Sequence, residues 1–199
     1  MRKTKVHKGL NLLYFTAVLI LFWSCKSNKV VNEEAKAKDL VVLETLLAQS
    51  NYHIDIVVAY PFSSVATTQV LITLLRNTGN TANRIDLRGN GDFIEIQNDS
   101  IKGYLSFFGE RRLNAGGYGS SNSAIQIEEP LKDLTKNIDE DKVKLELEFS
   151  ANQKGADNEK YDIQLQIYPN KNVSVNITPV YKTFMRYDGI LKSDENQKE

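Results

Sequence analysis

Hydrophobic residues follow three successive patterns along this chain of 199 residues. Residues 12–23 form a nearly continuous apolar run. Residues 33–49 carry apolar side chains every three or four positions on one broad face, which predicts an α-helix whose N-cap is Asn32. From Tyr52 onward apolar and polar positions alternate, as they do in strands that bury one face. The pattern therefore predicts an apolar leader, one helix and a β-domain.

The alternating part predicts about nine short strands joined by turns. In the clearest of them Leu145 and Leu147 face one way, while Lys144 and Glu146 face the other. Residues 70–75 are apolar on both faces, which predicts a strand covered on both sides, with the helix as one cover. Residues 84–87 and 93–97, with Gly89 and Gly91 between them, predict a hairpin. The other predicted strands are 52–61, 101–108, 124–127, 161–167, 173–177 and 183–191.

This number of strands with one leading helix predicts a mainly β fold, either an antiparallel up-and-down β-barrel or a strongly curled sheet. The domain should span residues 33–191, and the charged segment 192–199 is expected to be a disordered tail.

The N-terminal segment has the features of a secretory signal. Arg2, Lys3, Lys5 and Lys8 precede the apolar run without an acidic residue among them. A run of 12 residues is too short to cross a hydrocarbon core, which needs about 20. We therefore expect residues 1–24 to be a signal peptide; an uncleaved anchor beside a buried cysteine is the less favoured alternative.

Cys25 is the only cysteine of the chain. The sequence Phe-Trp-Ser-Cys that ends there resembles the lipobox of bacterial lipoproteins, although Trp and Phe are unusual in it. The resemblance implies that the thiol takes a diacylglyceryl group and that its amine is acylated after cleavage. Two or more acyl chains hold a protein stably on a membrane. Residues 25–32 would then be the lipidated cysteine and a tether, with the domain at the cell envelope, favouring the periplasmic face of the outer membrane.

Charge and composition exclude several function classes. Without residues 1–24 the chain has 175 residues and a formal net charge of −4. A mildly acidic chain without a basic block is not expected to bind nucleic acid. One histidine and no free thiol remain, so we expect neither a histidine- or cysteine-based metal site nor a cofactor. His53 lies two residues before Asp55, but no nucleophile motif accompanies the pair, and the sequence predicts no enzyme.

Residues 103–109, Gly-Tyr-Leu-Ser-Phe-Phe-Gly, resemble the strand end typical of the domain of unknown function 4251 family, small Bacteroidota-type lipoproteins. Segments 52–61, 123–127, 161–168 and 187–190 extend the resemblance over most of the chain, although Ser106 stands where the family usually has proline. The resemblance implies a lipocalin-like fold. The activity of the family is unknown, so no functional residue can be transferred.

Three aromatic side chains of this strand end are candidates for ligand binding. Tyr104 and Phe108 are predicted on one strand face and Phe107 on the other, where they could line the rim of an apolar pocket. The alternative, that one face is core and the other lies under the helix, is favoured. The leading functional hypothesis is a non-catalytic domain that binds a small apolar ligand or an envelope partner. The second is a structural or interaction subunit with a solid core, and the third an uncharacterised hydrolase-type enzyme.

Overall fold

The computed structural model describes residues 27–62, 64–111, 124–155 and 159–192. The predicted leader, Cys25, the glycine-rich loop 116–121 and most of the C-terminal tail lie outside these residues. The described part contains two helices, α1 (Ser27–Leu47) and α2 (Val65–Leu74). It also contains ten strands: β1 (Asn51–Pro61), β2 (Ile85–Asp86), β3 (Phe93–Gln97), β4 (Ser100–Ser106), β5 (Ala124–Pro130), β6 (Lys132–Asp139), β7 (Lys144–Asn152), β8 (Lys160–Ile167), β9 (Asn172–Pro179) and β10 (Met185–Lys192).

The strands form one antiparallel sheet that curls into a nearly closed barrel. Their order is β5-β4-β3-β1-β10-β9-β8-β7-β6, with β2 paired to β1. The two sides of the sheet meet beside β5, where Lys154 N donates to Gln126 O at 2.7 Å. Asn152 N donates to the Glu129 carboxylate at 2.5 Å in the same region. The mainly β, barrel-type fold predicted from the strand pattern is confirmed.

The interior is built by the alternating apolar positions. Strands β7 to β9 each bury every second side chain, so that their inner faces meet in one cluster. Burial of these side chains is the main favourable contribution to folding. The fully buried members include Leu145, Leu147, Leu165, Ile167, Val175 and Ile177. Packed side chains therefore occupy the inside of the barrel.

Residues Leu40–Glu199 form a compact unit of their own, separate from the unit that contains Ser27–Asp39. All ten strands and the whole buried cluster, including Leu43 and Leu46 of α1, fall within the Leu40–Glu199 unit. A segment with its own hydrophobic core can fold independently. We therefore expect residues 40–199 to fold without the preceding segment.

The helix prediction needs two corrections. α1 begins at Ser27, six residues before the predicted start, so Asn32 lies within the helix and does not cap it. Residues 70–75, predicted as a buried strand, belong mostly to α2, in which no residue is buried. Ser64 is the N-cap of α2, and its Oγ accepts a hydrogen bond from Thr67 N at 3.3 Å.

Three details of the predicted sheet also differ. Segments 84–87 and 93–97 do not form a hairpin, because β2 and β3 both pair with β1 at successive positions. Strand β6 was not predicted, and its exposed pattern explains why, since it carries no alternation of buried apolar residues. Lys144, predicted on the solvated face of β7, is buried, and its Nζ lies 2.6 Å from Glu146 Oε1.

Candidate functional site

Five side chains with unusual burial and polarity meet at one end of the barrel. Tyr161 lies on β8, Gln153 follows β7, Glu159 precedes β8, Phe107 follows β4 and Lys182 lies between β9 and β10. Antiparallel pairing brings these strand ends together. We call these five side chains the buried-lysine cluster.

Lys182 is the centre of the cluster and is only 1% exposed. Its Nζ donates a hydrogen bond to Tyr161 OH at 3.1 Å. The ammonium also lies 5.1 Å from the ring centroid of Phe107 and 5.5 Å from that of Tyr161, within the range of cation–π attraction. An ammonium group has three N–H donors. Among the described residues only one oxygen accepts from it, so the Lys182 ammonium is under-satisfied.

Gln153 supplies a second unused donor group. Its Oε1 accepts hydrogen bonds from Tyr161 OH at 2.5 Å and from Gln126 N at 3.3 Å. Its Nε2 is buried and has no hydrogen-bond partner in the described part of the protein. An unsatisfied buried donor costs about 1–3 kcal/mol. The cluster therefore holds two nitrogen atoms that could donate to an added oxygen acceptor.

Burial governs the electrostatics of the cluster. Loss of hydration lowers the pKa of Lys182; the negative charge of Glu159 partly opposes this, and the positive charge of Arg111 adds to it. Burial also raises the pKa of Tyr161, as does Glu159. A lowered lysine pKa means that the folded protein disfavours the ammonium form relative to a solvated lysine. An anion placed beside Lys182 would favour that form.

A second set of buried polar groups fixes the strand end that carries Phe107. Asp92 accepts from Ser106 N at 2.5 Å and from Ser106 Oγ at 3.1 Å. Burial raises the pKa of Asp92, and these two hydrogen bonds partly offset that effect. Tyr187 OH donates to Ser106 O at 3.0 Å. The end of β4 is thus held by three hydrogen bonds, and the position of Phe107 follows from it.

Two short segments, 107–111 and 180–184, pair with each other beside the cluster. Thr183 N donates to Glu110 O, and Glu110 N donates to Thr183 Oγ1, both at 2.9 Å. Gly109 permits this approach, because a Cβ at that position would overlap Thr183 Oγ1 and the Phe107 ring. The two segments are therefore held together directly beside Lys182.

The structure separates the three aromatic residues predicted from the sequence. Phe107 belongs to the buried-lysine cluster. Tyr104 is exposed on the outer face of β4, opposite Phe93 of β3. Phe108 packs partly buried against the core. Because β4 ends at Ser106, Phe107 and Phe108 do not lie on strand faces as predicted. A ligand-binding role for any of the three stays a prediction.

Sequence reasoning missed Lys182, Gln153 and Tyr161 as a group. Lys182 lies between Tyr181 and Thr183 in a turn, a context in which a lysine is normally solvated. No spacing or motif connects it with a glutamine that is 29 residues earlier. Only the closure of the barrel brings them together.

His53 lies in a different environment on the outer face of β1. Its Nε2 is 3.1 Å from Asp55 Oδ1, and its Nδ1 is 3.5 Å from Glu95 Oε1. The ring stacks on Phe93 at a centroid distance of 6.0 Å. Asp55 also pairs with Lys192 Nζ at 2.9 Å. His53 is therefore partly buried within a network of polar surface side chains.

Polar side chains also line a groove of about 660 Å³ on the outside of β6 to β9. Several of them bind each other: Ser150 Oγ donates to Asp162 Oδ1 and Gln164 Nε2 to Glu148 Oε1, both at 2.8 Å. This pairing occupies much of the hydrogen-bonding capacity of the groove. Among the described residues no group of three or more histidine, cysteine or acidic side chains is arranged to hold a metal ion. The buried-lysine cluster remains the stronger candidate.

Comparison with known proteins places the chain in a family. No curated protein and no solved structure matches it. A family model described as a domain of unknown function (DUF4251) matches residues 34–191, which include all ten strands except the last residue of β10. The chain therefore belongs to the DUF4251 family.

Proposed function

We propose that this protein is a non-catalytic binding domain of the cell envelope whose ligand is a small amphipathic acid. The observation that carries the proposal is the buried Lys182 ammonium, which has one oxygen acceptor in the described part of the chain and lies in a cluster with Gln153 Nε2, which has none there. An anionic head group would supply the missing acceptors to both residues. Charge-assisted hydrogen bonds of this kind contribute about 1.5–3 kcal/mol each.

The surroundings of the cluster favour a ligand with an apolar part. The Phe107 and Tyr161 rings face the ammonium, and Phe62 and Val180 are exposed near the same end of the barrel. The cluster thus offers hydrogen-bond donors to a head group and aromatic faces to the apolar part of a ligand.

The test is calorimetric titration of residues 40–199 with three ligands that share one alkyl chain: octanoate, octyl phosphate and octanol. We expect octanoate or octyl phosphate to bind at least about tenfold more tightly than octanol, because only the two anions satisfy Lys182. The preferred anion identifies the head group as a carboxylate or a phosphate. Equal affinity for octanol and both anions would contradict the proposal.

A structural or interaction subunit is the second candidate, and the packed interior of the barrel favours it. In that case the inward side chains alone fill the barrel, and the partner would be another envelope protein. The same titration separates the two functions, since a purely structural domain would bind none of the three compounds.

We further propose that acyl chains on Cys25 hold the domain on a membrane at the periplasmic side of the envelope. The basic residues, the apolar run and the single cysteine in the first 25 residues support this. We expect a fatty-acid probe to label the protein in growing cells and a Cys25→Ala variant to lose both label and processing. Labelling that persists in the variant, or is absent from the wild type, would contradict lipidation.

A further inference from the structure

Helix α2 is apolar and almost entirely uncovered. No residue of the helix is buried, and the exposed fractions of Val65, Ile72 and Leu74 are 79%, 53% and 69%. Phe62, just before the helix, is 70% exposed. Six of the ten residues of α2 are apolar, and exposed apolar surface that forms one patch normally marks an interaction site. Water is therefore an unfavourable surrounding for α2.

The face that contacts the rest of the domain is narrow and partly polar. The partly covered positions on and beside the helix are Thr67, Thr68, Leu71 and Leu75. The larger apolar side chains of the helix are exposed to solvent: Val65, Val70, Ile72 and Leu74. Contact with the domain thus leaves most of the apolar surface of α2 free for another occupant.

The charges around this surface identify the occupant. Between Ser64 and Ile85 the sequence contains no acidic residue, whereas Arg76 and Arg84 are both exposed. Arg88, close by, pairs with Asp86. This local excess of positive charge occurs in a domain that is acidic as a whole. Uncharged apolar surface beside exposed arginines is complementary to the acyl chains and anionic head groups of a phospholipid bilayer.

We propose that α2 and Phe62 insert into one leaflet of a bilayer that contains anionic phospholipid. The helix has ten residues, about 15 Å of length, and can lie within a leaflet but not cross it. Among the residues that the structure describes, no helix has the length and apolar character needed to span a membrane. The docking requires only the folded domain and does not depend on acylation of Cys25 or on a ligand.

The docking helix is directly connected to the candidate ligand site. Glu110 Oε1 accepts from Ser64 N, the N-cap of α2, at 2.7 Å, and the backbone of Glu110 pairs with Thr183 beside Lys182. The membrane-docking helix and the buried-lysine cluster are therefore linked through Glu110.

The test places an environment-sensitive fluorophore on α2. In a full-length Cys25→Ala background, which removes the native thiol, Ile72→Cys is labelled with a nitrobenzoxadiazole dye. The protein is bound to phosphatidylglycerol–phosphatidylethanolamine vesicles with or without nitroxide-labelled lipid. The emission is read from vesicle-bound protein separated by flotation, so that both labelled variants are compared in the same bound state. Thr178→Cys, on the exposed outer face of β9, is the matched control.

We expect the dye at residue 72 to shift its emission to the blue and to lose about half of its intensity to nitroxide lipid, whereas the dye at 178 does neither. Arg76→Glu combined with Arg84→Glu should lower the quenching, because it removes the attraction to anionic lipid. Emission at residue 72 that is the same in vesicles and in buffer would overturn the proposal. A blue shift that depends on protein concentration and not on lipid would also overturn it, since a second copy of the chain would then be the occupant.

Discussion

Replacing Lys182 with methionine is expected to raise the free energy of unfolding by about 1–3 kcal/mol. Methionine keeps the length and flexibility of the side chain but needs no hydration, so the cost of burying an under-satisfied ammonium is removed. Tyr161 keeps its hydrogen bond to Gln153 in the variant, and the Phe107 ring keeps an apolar neighbour. The measurement is equilibrium unfolding of residues 40–199 in urea.

The same substitution should change how stability depends on pH. Burial lowers the pKa of Lys182 in the folded protein, so between that value and the ordinary 10.5 the unfolded chain binds more protons than the folded one. Stability should therefore rise with pH across this interval, and Lys182→Met should remove the part of the rise that Lys182 contributes. Data should stop near pH 10, because ionisation of the buried tyrosines, whose pKa values are raised, opposes the trend above it.

Lys160→Met is the matched control, because Lys160 on β8 is exposed. This substitution should change the free energy of unfolding by no more than about 0.5 kcal/mol. A loss of stability in Lys182→Met would contradict the prediction. It would mean that the bond to Tyr161 and the attraction of Glu159 outweigh the cost of burying the charge.

Replacing Gly189 with alanine is expected to lower the free energy of unfolding by about 2–3 kcal/mol. Gly189 lies opposite Ile56 where β10 pairs with β1, near the irregularity of that ladder. A Cβ at residue 189 would lie 2.8 Å from both Asp55 O and Ile54 Cγ2. The carbonyl belongs to the backbone of the neighbouring strand, so the clash can be relieved only if two central strands separate.

Gly103→Ala on β4 is the control for this prediction. There the nearest atom to an added Cβ is Phe93 O at 3.4 Å, an ordinary contact, and alanine should change stability by less than about 1 kcal/mol. Urea unfolding of both variants measures the difference. Equal urea midpoints of unfolding for the two alanine variants would contradict the prediction. They would show that β1 and β10 can move apart with little loss of free energy.

The strand positions were largely predictable because each one buries a single face. Alternation identified β1, β4, β7, β8, β9 and β10 to within a few residues, and from them the barrel. Helix α2 was mistaken for a strand because residues 70–75, five of them apolar, fit a doubly covered strand and a helix equally well. Strand β6 escaped prediction because it lies at an edge and its inner face is only partly buried, with polar Lys136 between Leu134 and Ile138.

The candidate site could not be predicted to the same extent. Phe107 was identified by its aromatic neighbourhood, but Lys182 and Gln153 were not, because their burial arises from the meeting of strand ends that are distant in sequence. The sequence places Asp55 two residues from His53, but only the pairing of β1 with β3 places Glu95 beside it. Side-chain partners across a sheet depend on register, which the sequence pattern leaves open.

The central claim, that the Lys182 ammonium binds an anionic head group, is tested most directly by titrating wild type and Lys182→Met with octanoate and octanol. For octanoate we predict at least about tenfold weaker affinity in the variant, because one charge-assisted hydrogen bond is lost. For octanol we predict no difference between the two proteins, and Lys160→Met should behave as wild type with both compounds. Octanoate binding that is equal in wild type and Lys182→Met, or absent from both, would contradict the claim.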